Sequence, residues 1–209
     1  MLYSFLRVIV RGLLFIFNGH SNYLNKSRLP KGNYILVGPH RTWYDPILYA
    51  LAASPKKFSF MAKKELFKNP ILKYILDHAY AFPVDRQNPG PSAIKTPVKN
   101  LRKTDLSLIM FPSGTRHSSE LKAGAAFIAQ LSGKPLVPTV YQGPLKFSEL
   151  LSRKPYTIAF GDPIYIDRKT KLTDKEQKIL EAKLQDAFNA LDDEIDPNFK
   201  YVDVSKNKK

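Results

Sequence analysis

Cysteine is absent from the 209 residues. That excludes a disulfide scaffold, a thiolate metal site and a cysteine nucleophile together, and it is compatible with a reducing compartment. Acidic residues are also scarce, 18 Asp and Glu against 33 Lys and Arg, giving a net charge of +15. The deficit is uneven: residues 1–110 carry 17 basic side chains against 5 acidic, and residues 111–209 carry 16 against 13. Such a one-sided positive field calls for an anionic partner, whether nucleic acid, anionic lipid or an acidic carrier. Zinc-finger and RNA-recognition signatures are missing and the aromatics sit mostly in apolar runs, so no nucleic-acid partner is expected and a basic nucleic-acid-binding domain stands only as the remote alternative. There is no Gly-x4-Gly-Lys-Ser/Thr phosphate loop, no Gly-x-Ser-x-Gly nucleophile elbow and no internal repeat. No uncharged apolar run reaches the ~20 residues that a bilayer-spanning helix needs.

The residues that are present describe one globular domain, with 44% hydrophobic and 24% charged side chains. The segment after Met1, LYSFLRVIVRGLLFIF, is too charged for a signal-peptide core and lacks a small-x-small cleavage site. Arg7 and Arg11 lie four apart and share a helix face, with Leu2, Leu6, Ile9, Leu13 and Ile16 around the other sides. This pattern predicts a helix over residues 1–20 lying in a membrane interface, its Arg heads reaching lipid phosphates. The alternative is a first core helix.

Further on, short apolar runs alternate with helical stretches. Strands are expected at 34–37, 58–62, 82–84, 107–111, 136–141 and 156–160. Helices are expected from Asp45-Pro46 to about Ala53, over 65–77 with a break near Asn69-Pro70, over 92–102, and over 121–131 closed by Gly133. A long last helix opens on the capping pattern Thr173 to Glu176 and puts Leu180, Leu184, Ala187, Phe188 and Leu191 on one face. The alternation predicts an α/β domain over residues 30–200, with a mostly parallel or mixed central sheet flanked by helices. Residues 201–209 read as a basic tail.

Two stretches carry chemistry. In His40-Arg41-Thr42-Trp43-Tyr44-Asp45 a base is followed five residues on by a carboxylate. Asp45 can accept the proton of one imidazole nitrogen and leave the other nitrogen to deprotonate a hydroxyl. Asp45 also reads as the N-cap of the following helix, and both roles are compatible. In Phe111-Pro112-Ser113-Gly114-Thr115-Arg116 a strand runs into a glycine turn. There backbone N–H groups converge on an anion, and Arg116 adds a fork-shaped fixed charge suited to phosphate. In an open α/β sheet, sites form beyond the carboxyl ends of strands, and His40, Arg86 and Ser113 to Arg116 each follow a predicted strand. Lys63 and Lys64 bring further cations to that edge. A metal is not expected, because His40 and Asp45 lack a second His–carboxylate cluster at ligand spacing.

These blocks, with Met61-Ala62-Lys63-Lys64-Glu65-Leu66, Phe82-Pro83-Val84-Asp85-Arg86 and Leu136-Val137-Pro138-Thr139, follow the order seen in the glycerolipid acyltransferase family. Over residues 30 to 165 the chain resembles bacterial members that acylate 1-acyl-sn-glycerol 3-phosphate. The resemblance implies acyl transfer without a metal or cofactor, with His40 as general base and Asp45 as its orienting carboxylate. Lys63, Arg86, Ser113, Gly114, Thr115 and Arg116 would bind the lysophosphatidate phosphate. The donor would be an acyl thioester on acyl carrier protein or coenzyme A. The implied setting is an anionic membrane surface on the cytoplasmic face, with peripheral or monotopic attachment. The family's usual Glu after Phe-Pro is Ser113 here, which makes the loop more cationic and offers a hydroxyl to phosphate. Glycerol 3-phosphate or another lysophospholipid is the alternative acceptor.

Overall fold

A computed structural model describes residues 2–85, 88–112 and 124–201. The apolar run after Tyr34 forms β2 (Ile35–Val37), the strand next to which the sheet is built. Its side chains alternate between two cores: Leu36 joins one, Ile35 and Val37 the other. A strand covered on both faces can be apolar throughout, which is why this stretch shows no polar alternation.

Six more strands complete one sheet: β1 (Asn22–Leu24), β3 (Lys57–Lys63), β4 (Ala81–Val84), β5 (Leu106–Met110), β6 (Leu136–Gln142) and β7 (Thr157–Phe160). Their order is β1-β7-β6-β2-β5-β3-β4. Strands β2 to β6 are mutually parallel, β7 runs antiparallel to β6, and β1 is parallel to β7. The sheet is therefore mixed, and the carboxyl ends of β2, β3, β4 and β5 lie along one edge.

Helices α1 (Leu2–Asn18) and α2 (Asp45–Ala52) cover one face. On the other lie α4 (Ser92–Lys103), α5 (Gly124–Ser132) and α7 (Asp174–Ile195). Two further helices are α3 (Pro70–His78), which has no buried residue, and the single-turn α6 (Phe147–Leu150), whose Leu150 joins the core under α1 and α2. Two of the expected caps are present. The Thr173 side chain accepts from Glu176 N–H at 3.5 Å, and Gly133 ends α5 at φ +67°. In α7, Leu184, Phe188 and Leu191 are buried as the spacing predicts. Strand β1 and helix α6, three and four residues long, were not anticipated; such short pieces carry no periodicity to read.

Helix α1 forms, but its arginines do not point where the sequence reading put them. Arg7 Nη1 donates to the Pro55 carbonyl at 2.8 Å, and Arg11 Nη2 donates to that of Leu51 at 2.9 Å. Leu51 lies in the last turn of α2 and Pro55 in the turn that follows, so both cations tie α1 to the end of that helix. At its other end the buried Asn18 amide donates to Leu150 O and Lys154 O, at 2.7 and 2.6 Å. The charged face is thus the docking face. Phe5, Val8, Ile9, Leu13, Phe15, Ile16 and Phe17 are left exposed. Among the described residues, no helix is long and apolar enough to cross a membrane.

Candidate active site

His40 sits in the loop after β2, and Asp45 is the first residue of α2. Asp45 is fully buried, and its carboxylate turns back over the loop rather than onto its own helix. The N-cap position belongs to Tyr44, with no side-chain cap. Asp45 Oδ2 accepts from the backbone N–H of Arg41 and of Thr42, each at 2.7 Å, and lies 3.1 Å from His40 Nδ1. The Thr42 hydroxyl donates to Oδ1. The N-cap expectation is therefore corrected: the carboxylate's acceptor sites are taken up in holding the His40 loop.

The imidazole lies parallel to the Phe111 ring, centroids 4.2 Å apart and planes at 20°. Phe111 follows β5, so one ring is pinned by the exits of two neighbouring strands. Close backbone packing sets the approach. A Cβ added at Gly38 would lie 2.2 Å from Thr139 O and 2.7 Å from Tyr49 Oη, so only glycine fits there. Burial pushes the Tyr49 phenol well above its usual range, and the Asp45 charge adds to the effect. Tyr49 therefore stays neutral and donates to Thr139 O at 3.1 Å.

His40 forms part of the wall of a cavity of about 330 Å³. The rest is mainly apolar: Phe60, Met61, Val84, Ile94, Met110 and Ile128 among others. Pro112 and Gly124, which flank the undescribed segment 113–123, also line it. A base fixed by a buried carboxylate in the wall of an apolar cavity suits proton removal from a hydroxyl beside a long aliphatic chain.

Of the sequence-predicted residues, the structure brings together His40 and Asp45. Lys63 ends β3 at the same sheet edge, exposed and 3.8 Å from Glu65. It is not among the residues lining the cavity. Arg86, Ser113, Gly114, Thr115 and Arg116 lie outside the described residues. Sequence reasoning missed Thr42 and Phe111 as parts of the site. A hydroxyl three residues before Asp45 was a weak available signal; the stacking of Phe111 on His40 had none. Among the described residues, no three His, Asp or Glu side chains converge as metal ligands would.

The fold is a mixed α/β sheet, with a His–carboxylate pair beside an apolar cavity at its carboxyl edge. Residues 20–142 match the Acyltransferase family, and the chain belongs to that family, making it an O-acyltransferase. It is 46% identical over 196 residues to the 1-acyl-sn-glycerol-3-phosphate acyltransferase of Streptococcus pneumoniae (strain ATCC BAA-255 / R6), covering 93% of this chain and 74% of that one. A protein of the same name from Bacillus subtilis (strain 168) is 37% identical, with 91% and 99% covered. The crystal structure of the 1-acyl-sn-glycerophosphate (LPA) acyltransferase PlsC from Thermotoga maritima superposes with a TM-score of 0.64. It is 18% identical and covers 91% of this chain and 78% of that one. That likeness is one of fold.

Proposed function

We propose that the chain transfers an acyl group from a thioester to the free hydroxyl of lysophosphatidate, giving phosphatidate. The observation that carries this is the His40–Asp45 contact, 3.1 Å long and anchored on a carboxylate with no solvent exposure, at the wall of an apolar cavity. Asp45 accepts the Nδ1 proton, so Nε2 presents its lone pair to the acceptor hydroxyl. As the oxygen attacks the thioester carbonyl, His40 takes the proton. When the tetrahedral intermediate collapses, the C–S bond breaks and the thiolate receives that proton from His40. General-base help of this kind contributes roughly 10²–10⁴-fold. Positioning of two lipidic substrates supplies much of the remainder.

The cavity accommodates an aliphatic chain. The acceptor phosphate is assigned to Lys63, Arg86, Ser113, Gly114, Thr115 and Arg116. In support, the described flanks of these segments, Val84, Asp85 and Pro112, line the cavity wall together with His40. The acyl donor is a thioester of acyl carrier protein or coenzyme A, and the positive field of the first 110 residues suits either anionic carrier. The same field and the exposed apolar face of α1 support attachment to an anionic membrane surface on its cytoplasmic side.

The test is incubation of the purified protein with lysophosphatidate and each acyl thioester, following thiol release and phosphatidate together. Equal amounts of the two products are expected, and His40→Ala should abolish both while retaining the native circular dichroism spectrum. Acylation of glycerol 3-phosphate in preference to lysophosphatidate would replace the acceptor. Full turnover by His40→Ala would remove the assigned base.

A further inference from the structure

We propose that Asp192, near the end of α7, is a positioning residue for the catalytic pair and acts through Arg41; this rests on the assignment of His40 and Asp45 above. Arg41 is 8% exposed, although it sits in a loop between His40 and Thr42. Its guanidinium meets the Asp192 carboxylate in a two-pronged arrangement: Nη1 donates to Oδ1 at 2.8 Å, and Nη2 donates to Oδ2. Nη1 also donates to the Tyr141 carbonyl at 2.6 Å. Asp192 is held in turn by Gln142 Nε2, which donates to its Oδ1 at 2.9 Å and to its backbone carbonyl at 2.8 Å. The rings of Phe199 and Tyr201 lie 4.9 and 5.8 Å from the guanidinium carbon, and Tyr201 Oη donates to Arg41 O at 3.3 Å.

This cluster reaches the reacting groups through one peptide. The Arg41 N–H donates to Asp45 Oδ2, the oxygen that also receives His40 Nδ1. A loop has no ladder of its own to fix it, so the orientation of that N–H depends on where the Arg41 side chain is tied. A bidentate guanidinium–carboxylate pair fixes a plane as well as a distance. Anchoring of α7 itself does not require the pair, since Leu184, Phe188 and Leu191 already seat that helix on the sheet.

The charge matters too. Without Asp192, Arg41 would be a buried cation one residue from His40 and close to the Asp45 carboxylate. It would oppose the imidazolium that forms during transfer, and it would compete for the carboxylate that orients the ring. Asp192 neutralises it in place.

The test compares the unmodified protein with Asp192→Asn, which keeps shape and removes charge, and with Phe199→Leu, which keeps the ion pair and removes an aromatic cover. Steady-state kinetics and the ring ¹⁵N shifts of His40 are measured on each. The unmodified protein should show a single tautomer with the proton on Nδ1. Asp192→Asn should lower kcat by about ten- to a hundredfold, with KM for lysophosphatidate within about twofold, and yield a mixture of His40 tautomers. Phe199→Leu should show the same changes, smaller. A fall in thermal stability with kcat and tautomer unchanged in both variants would overturn the proposal and leave a purely structural ion pair. The ring spectra need no substrate, so failure of the unmodified protein to make phosphatidate would count against the function above and not against this coupling.

Discussion

Side by side, His40 and Asp45 look like an ordinary hydrogen-bonded pair, yet the carboxylate has no exposure and accepts from two backbone N–H groups and a hydroxyl besides the imidazole. Carboxylates buried this way are held by all their donors together, so removal of one is felt by the rest. Thr42→Val leaves Oδ1 short of a donor inside the protein, at a cost of about 1–3 kcal/mol. A lower midpoint in urea unfolding is expected, along with slower turnover; an unchanged midpoint would mean another group takes the hydroxyl's place. Gly38→Ala tests the approach on the other side. The added methyl meets a carbonyl oxygen at 2.2 Å, and overpacking of this kind costs roughly 1–3 kcal/mol. Because His40 is two residues on, activity should fall further than stability alone explains, measured as kcat well below the transition temperature. At this scale the sequence was legible where chemistry depends on residue type and spacing, as in His40 and Asp45. It was silent where a backbone N–H does the work, because every residue but proline carries one.

At the level of elements, periodicity located most helices and strands to within a residue or two, and it located α1 while misjudging its direction. The two arginines of α1 share a face, and a helical wheel alone leaves open whether that face meets lipid or protein. The deciding fact lies about 40 residues away in the chain, where the last turn of α2 and the residues after it present carbonyls to which both arginines donate. Once the cations are spent there, the apolar residues are turned outward. The proposed membrane contact is therefore made by side chains such as Phe5, Val8 and Ile16, each more than half exposed, and not by the arginines. Replacing these three with Asp should weaken binding to anionic vesicles by at least about tenfold, since each large apolar side chain is worth ~1.5–3 kcal/mol when fully buried. The melting temperature should stay nearly constant, because none of the three is in the core. Arg11→Ala should do the reverse, lowering the melting temperature while vesicle sedimentation changes little. If both variants behave alike, the two faces are not separable in this way.

For the molecule as a whole, the alternation of strands and helices implied the α/β class and the shared carboxyl edge. Strand order, and the reversal of β7 against β6, depend on pairings between distant segments that no local pattern records. One property of the assembled molecule follows only from that packing. Six of the 11 tyrosines, Tyr3, Tyr34, Tyr44, Tyr49, Tyr141 and Tyr156, have phenols raised above their usual range, in each case chiefly by loss of solvent. A phenol is uncharged when protonated, so burial favours the protonated form and the folded value exceeds the unfolded one. Their contribution to stability is complete below the unfolded value of ~10 and is lost as pH rises above it. In a titration followed by phenolate absorbance, the six buried tyrosines should therefore ionise only above the ordinary phenol range, together with loss of the circular dichroism signal. Tyr44, Tyr49 and Tyr141 pack on the His40–Asp45 side of the sheet, so acyltransferase activity recovered on return to neutral pH should decline only once these buried phenols have ionised. Ionisation of these six near pH 10 with the fold intact would mean that water reaches this core, and that the buried setting of Asp45 is not what holds the His40–Asp45 pair.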